Sequence, residues 1–400
     1  MRKYDLIHSL PAIKLVIGNG FDLYCGLETR YVDYFNSRKE KFDSIRNCIS
    51  QLKNVATKNF IKEASIDELA VHLSPKIKNI EKINVWDFLF AILSDEHKDE
   101  IENWNWCDVE SIMAKWLKDG PRSENKCDWN IVFEVLKNDA SEETMPLQYR
   151  CLAAFVLLKN NLKAFENEDS YFVFVLGQLN QFEKDFGEYI QNQLMTRTEK
   201  NFCLRERLER FSSESERTIQ ELCSQNRITS IDTFNYDAPS IEGLYNRFHH
   251  INGDLQSPIF GVDTTLFKAD DPRFIFTKTS RRMHLDMMRS DNFMLAEFSN
   301  VIVFGHSLNR ADDNYFFSIF DKLDITNSSN NSKIVFAYYV YDSQRRNEII
   351  SCERNKISIL FQEYSEYKFG DFHGNRLLDE LTIQGKIIMY EMPALPKNYN

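Results

Sequence analysis

The sequence predicts an α/β fold: a doubly wound parallel sheet interrupted by a large helical insertion. Three observations predict it. Short apolar runs recur near both ends of the chain, at Ile13–Ile17, Ile228–Phe234, Asn300–Phe304, Lys333–Val340 and Lys386–Tyr390. Their length and β-branched content suit strands buried on both faces, as strands of parallel sheets are. Several of these runs stop at small or polar residues, where a buried strand meets a tight turn. Between them, residues 36–226 are rich in Lys, Glu, Asn and Gln, with apolar residues at three- and four-residue spacing, the period of helices. The expected organisation is a core of residues 1–35 and 227–400, with a helical insertion domain over 36–226.

The first run carries the most information. Ile13, Leu15, Val16 and Ile17 lead into Gly18-Asn19-Gly20, and Phe21, Leu23, Leu27, Tyr31, Tyr34 and Phe35 follow at a rough helical spacing broken by Gly26. Gly18 and Gly20 remove side chains where backbone N–H groups at a helix start could approach a diphosphate, and the helix dipole favours negative charge there. A glycine pair after a strand also occurs for purely conformational reasons, so the turn is read together with the rest of the chain.

Composition narrows the function classes. The 400 residues are 43% hydrophobic, enough for a large core without disulfides or metals, and the net charge of −11 disfavours a protein that coats nucleic acid. No apolar run approaches the roughly 18–20 residues that cross a bilayer. Met1–Pro11 lacks the apolar stretch of a secretory signal, so the expected location is cytoplasmic. The eight cysteines are scattered with no Cys-x-x-Cys, which suits buried reduced thiols, and no metal is expected.

Within the insertion, Tyr149–Leu162 is apolar on a helical period, and Val173, Leu176, Leu179, Phe182, Phe186 and Ile190 form one amphipathic stripe, read as core. Trp104-Asn105-Trp106-Cys107-Asp108-Val109-Glu110 reads either as a pocket wall or as acids favoured at a helix start. The acidic Ser212–Glu216 reads as a solvated linker or helix entry.

Strand character returns at Ile228–Phe234, delivering Asn235-Tyr236-Asp237 at the carboxyl end, where open α/β sheets seat ligands. An Asx-capped turn is the competing reading. A short strand Arg247–Ile251 leads to Asn252-Gly253-Asp254. His250 lies two residues before Asn252, about 6–7 Å along an extended strand, and His249 points the other way. Phe274–Thr279 reads as a strand and a polar turn, with Lys278 able to meet a phosphate or a carboxylate. Asn300–Phe304 ends at Gly305-His306-Ser307-Leu308, followed by Asp312 near a helix start. This segment lacks the second glycine of a Gly-x-Ser-x-Gly elbow, which disfavours a nucleophilic Ser307. Ser343–Cys352 reads as a helix.

These pieces together resemble the AbiH family, named for bacteriophage abortive infection and itself similar to sirtuin-like NAD-binding Rossmann proteins. The resemblance rests on Val16-Ile-Gly-Asn-Gly-Phe-Asp-Leu23 with Gly26, Leu27, Thr29, Tyr31 and Phe35, on Thr233-Phe-Asn-Tyr-Asp237, and on the Phe-Gly-x-Asp at Phe260–Asp263. Gly305, Ser307, Leu308 and Asp312 extend it. It implies a sirtuin-like Rossmann sheet and an NAD⁺ hydrolase that cleaves the nicotinamide–ribose bond. Asn235, Asp237 and His250 would be catalytic. Gly18, Asn19, Gly20, Phe21, Asp22, Thr29, Asn252, Gly253, Gly305, His306, Ser307 and Asp312 would hold the dinucleotide. Asn252 departs from the pattern, because the family position before the glycine is a histidine, and an amide cannot act as a general base. That departure favours an alternative, a non-catalytic nucleotide sensor or assembly module acting with a partner effector. A homo-oligomer or a partner defence protein is compatible with either reading. A nuclease acting through the insertion is the third, disfavoured by the acidic balance.

Overall fold

The computed structural model describes residues 3–27, 29–55, 64–96, 108–118, 128–138, 145–195, 203–286, 296–370 and 374–393. The chain divides into two compact units: Met1–Thr29, Gly187–Pro258 and Arg282–Asn400 form the first, and Arg30–Phe186 and Ile259–Arg281 the second.

The first unit is built on a six-stranded, all-parallel sheet of order β3-β2-β1-β4-β5-β6. The strands are β1 (Ile13–Ile17), β2 (Ile228–Thr233), β3 (Phe248–His250), β4 (Asn300–Phe304), β5 (Lys333–Tyr338) and β6 (Ile387–Glu391). This is the doubly wound α/β arrangement that the apolar runs predict, and its strand order reverses between β1 and β4. Every residue of β1 and β4 is buried, which suits their mostly apolar, β-branched character. The strand ends are level: Ile17 pairs with Thr233 and Phe304, and Thr233 with His250. The residues following β3, β2, β1 and β4 therefore stand side by side along one edge.

One face of this sheet packs Val16, Val301, Val303, Ile334 and Phe336 against the helices Asp313–Lys322 and Arg346–Phe369, with Phe320 stacked on Phe361 at 4.9 Å. The helices Lys3–Ser9 and Cys203–Leu222 of this unit are joined where His8 Nε2 meets Glu221 O at 2.9 Å. Ser212–Glu216, expected as a linker or helix entry, lies inside the second of these helices, because its apolar neighbours Phe211, Ile219 and Leu222 keep the helical period and Ser215 is buried with them.

The second unit is helical. Its elements include Tyr31–Ser37, Lys39–Val55, Ile66–Leu73, Val85–Glu96, Asp108–Leu117, Trp129–Asn138 and Leu147–Lys159, together with the first part of the helix Glu168–Met195. The expected stripe on that last helix holds through Leu179, Phe182, Phe186 and Ile190, but Val173 is exposed and Phe172 and Val175 occupy the buried register. Phe274–Phe276, expected as a strand, lies in the 3₁₀ turn Pro272–Phe276, followed by the helix Lys278–Asp286. The reason is local: Asp271 accepts from the Arg273 N–H at 2.8 Å, and Pro272 is preset for the first helical position. Lys278 meets Glu110 at 3.0 Å, the carboxylate of its two expected partners. Trp104–Cys107 lie outside the described residues. Among the described residues, no helix is long and apolar enough to cross a membrane.

Candidate active site at the carboxyl edge of the sheet

Every residue singled out from the sequence as a site residue lies in the first unit. The glycines act first on the backbone. A Cβ on Gly20 would fall 2.7 Å from Gly305 Cα, one on Gly18 2.8 Å from His306 Cα, and one on Gly305 2.2 Å from Phe21 N. Gly305 also has φ +72°, open to glycine at no cost. The turns after β1 and β4 thus pack backbone against backbone at the reversal of strand order. Their amides are used in doing so: Gly18 N–H donates to Phe304 O at 3.1 Å, Gly20 N–H to Gly305 O at 2.8 Å and Phe21 N–H to Gly18 O at 2.8 Å. The expected presentation of these N–H groups to a diphosphate is replaced by bonds within the protein, and Phe21 itself is core, edge-on to Phe304.

The side chains that follow form a connected cluster. Asn235 Nδ2 donates to Gly18 O at 3.1 Å and to Asp22 Oδ1 at 2.7 Å, tying the end of β2 to the turn after β1. Thr29 Oγ1 donates to Asn19 Oδ1, with Asp22 Oδ2 at 3.4 Å. Asp237 lies near enough for its charge to act on Asp22, and its Oδ2 is buried with no hydrogen-bond partner among the described residues. Burial pushes the Asp237 carboxyl up to about 6. Asp22 is held well above the ordinary carboxylate range, first by burial and then by the Asp237 charge beside it. Two carboxyls so deeply buried and acting on one another resist ionising together. His250 Nδ1 donates to Asn235 O at 3.0 Å, which leaves the basic lone pair on Nε2. His249 faces the other way, its Nδ1 3.3 Å from Asp232 Oδ1.

A second cluster lies beyond β3 and β4. Arg282 Nη2 donates to Asn252 Oδ1 at 3.0 Å and to Asp312 Oδ1 at 2.8 Å, and His306 Nε2 lies 3.5 Å from Asp312 Oδ2. Leu308 N–H donates to His306 Nδ1 at 2.9 Å. Both His306 nitrogens are thereby directed away from Ser307, which removes the general base a nucleophilic serine needs. Gly253 has φ +82°, and a Cβ there would fall 2.0 Å from Ser257 O, so its glycine serves the loop backbone.

Two features escape sequence reasoning. Arg282 belongs to no strand-end motif and arrives on the helix Lys278–Asp286 from outside the sheet. Lys14, Asp232 and Tyr315 form a buried network: Lys14 Nζ lies 2.8 and 2.7 Å from the Asp232 oxygens, and Tyr315 OH donates to Asp232 Oδ2 at 2.6 Å. Part of its signal was present, a lysine inside the otherwise apolar β1. Neither a curated protein nor a solved structure matches the chain. A model of the family described as bacteriophage abortive infection AbiH matches residues 15–338, well over half of the sequence and including both clusters, so the chain belongs to the AbiH family of abortive infection proteins.

Proposed function

We propose that this abortive infection protein is a sirtuin-like NAD⁺ hydrolase that breaks the nicotinamide–ribose bond. The observation that carries the reading is the bonding of Asn235 to both Gly18 O and Asp22, with Asp237 and His250 alongside, on the carboxyl edge next to the reversal of strand order. Open α/β sheets bind ligands at that place. Nicotinamide departure leaves a cationic sugar, and a buried carboxylate stabilises it in a medium that screens charge poorly. Asp237 supplies that charge and takes the proton of the attacking water. Asn235 spends both amide hydrogens on Gly18 O and Asp22, so its Oδ1 is the acceptor for a ribose hydroxyl. His250, oriented by the Asn235 carbonyl, lies beside the ribose. The close glycine turn brings the strand ends together beside the nucleotide, and Asn252 donates from its amide to the far side.

The test is nicotinamide release from NAD⁺ by the purified chain. Wild type is expected to release it, and Asn235→Ala to lower the rate about 100-fold or more, with the melting temperature of both measured alongside. NAD⁺ binding without release would favour the second reading, a nucleotide sensor working with a partner effector. Asn252 supports that reading, since an amide held through its oxygen by Arg282 cannot accept a proton. Asn252→His should raise release if the pocket once hydrolysed NAD⁺.

A further inference from the structure

We propose that Arg282 is the phosphate seat of this site, and that through it the site selects phosphorylated ribosides over the parent nucleosides. This rests on reading the site as one that takes a nucleotide, and it names the group that holds the phosphate.

A diphosphate at the carboxyl edge of a parallel sheet is ordinarily met by free amides of a glycine turn at a helix start. Here those amides are closed: the Gly18, Gly20 and Phe21 N–H groups donate to Phe304 O, Gly305 O and Gly18 O. A phosphate bound here needs another donor.

Arg282 supplies it. It arrives on the helix Lys278–Asp286, and its bonds to Asn252 Oδ1 at 3.0 Å and to Asp312 Oδ1 at 2.8 Å both leave from Nη2. A guanidinium holds its N–H donors in one rigid plane, so two anchors at one nitrogen fix that plane and leave Nε and Nη1 outside them. Nε is buried and has no hydrogen-bond partner among the described residues, and a buried donor left unmade is costly. The side chain is 19% exposed, so a ligand can reach it. Planar donor sets of this kind suit the oxygens of a phosphoryl group. Asp312 offsets part of the charge, so the seat works through directed N–H groups more than through net charge.

The position fits a nucleotide. Asn252 follows β3 and Asp312 lies beyond β4, the strands that flank β2 and β1 in the sheet. His306, after β4, sets Nε2 3.5 Å from Asp312 Oδ2 and its ring 4.2 Å from that of Phe234, the residue between β2 and Asn235. Contacts thus run from Arg282 through Asp312, His306 and Phe234 to the strand end that carries Asn235. The arrangement also gives Asn252 a use. A guanidinium only donates, so its partner before Gly253 must accept; an amide oxygen does so at every pH, whereas a histidine loses its acceptor on protonation.

The test measures binding of ADP and adenosine to the full chain by calorimetry, beside nicotinamide release from NAD⁺ and from nicotinamide riboside, which lacks the phosphates. Wild type is expected to bind ADP about tenfold or more tighter than adenosine, with inorganic pyrophosphate competing against ADP. Arg282→Gln retains polar contact with Asn252 and Asp312 and removes the planar donor set. It should weaken ADP about 10–100-fold and adenosine less than about twofold, and raise KM for NAD⁺ but not for the riboside, with melting temperatures followed alongside. Arg282→Lys, which keeps the charge without the plane, should fall between. No preference of wild type for ADP over adenosine overturns the inference. So does an equal loss of both ligands in Arg282→Gln, which would make Arg282 structural. Should Arg282→Gln fail to fold, the wild-type comparison and Arg282→Lys decide by the same criteria. ADP binding that depends on Arg282, with no nicotinamide released, upholds the seat and removes the hydrolase. Nicotinamide released from NAD⁺ equally well by wild type and Arg282→Gln upholds the hydrolase and removes the seat.

Discussion

Asp237 shows how one buried group ties stability to chemistry. Its folded-state pKa of about 6 lies above the ordinary carboxylate value, with burial as the leading cause. Between an unfolded value of about 4 and that folded value, the native state binds more protons than the unfolded chain. Stability from this group is therefore full below the unfolded value and is lost as pH rises through the folded one. Asp237→Asn removes the titration. Thermal melts of wild type and variant across this range should diverge, wild type losing stability relative to the variant as pH rises toward neutral. Parallel curves would refute the assignment. The functional group is thus kept at a cost in stability, as strained or buried active-site groups commonly are.

At the scale of the element, β1 and β2 carry a charge pair in the sheet interior. Lys14 and Asp232 are both wholly buried. Burial lowers the Lys14 pKa and the Asp232 charge opposes that shift. Tyr315 from the helix Asp313–Lys322 and His249 from β3 complete the hydrogen bonds of the carboxylate. Such a pair contributes little net stability while intact, yet breaking it leaves an uncompensated charge. Asp232→Asn should cost roughly 3–5 kcal/mol in denaturant unfolding, and Lys14→Met added to it should recover part of the loss. A single variant as stable as wild type would show that the network is dispensable. The network also fixes the order of β1 beside β2, and through it the level strand ends from which Asn235 reaches Gly18 and Asp22.

At the scale of the whole molecule, the proposed chemistry and membership of an abortive infection family meet in the infected cell. A nucleotide hydrolase released by infection would end phage growth by depleting the host's own cofactor. Cells carrying the wild-type chain should lose most of their NAD⁺ after phage challenge, and cells carrying Asn235→Ala should keep it. Protection by both chains with NAD⁺ unchanged would place the defence elsewhere, in a partner effector.

The sequence by itself determined the class of fold and the stretches at which the site is built. Buried parallel strands are rich in β-branched and apolar residues, and turns that pack backbone on backbone must be glycine, so β1, β2, β4 and the positions Gly18, Gly20 and Gly305 were legible. The alternation of side chains along β3 likewise separated His250 from His249. Local chemistry misled where short signals compete, as at Phe274–Phe276, where an aspartate cap and a proline outweighed an apolar run. Only the tertiary structure decided that Asn235 ties Asp22 to Gly18 and that Arg282 holds Asn252 and Asp312. It also decided that the glycine turn spends its N–H groups inside the protein. Those outcomes depend on residues far apart in the chain being brought within hydrogen-bond reach, and no local period or propensity encodes that distance.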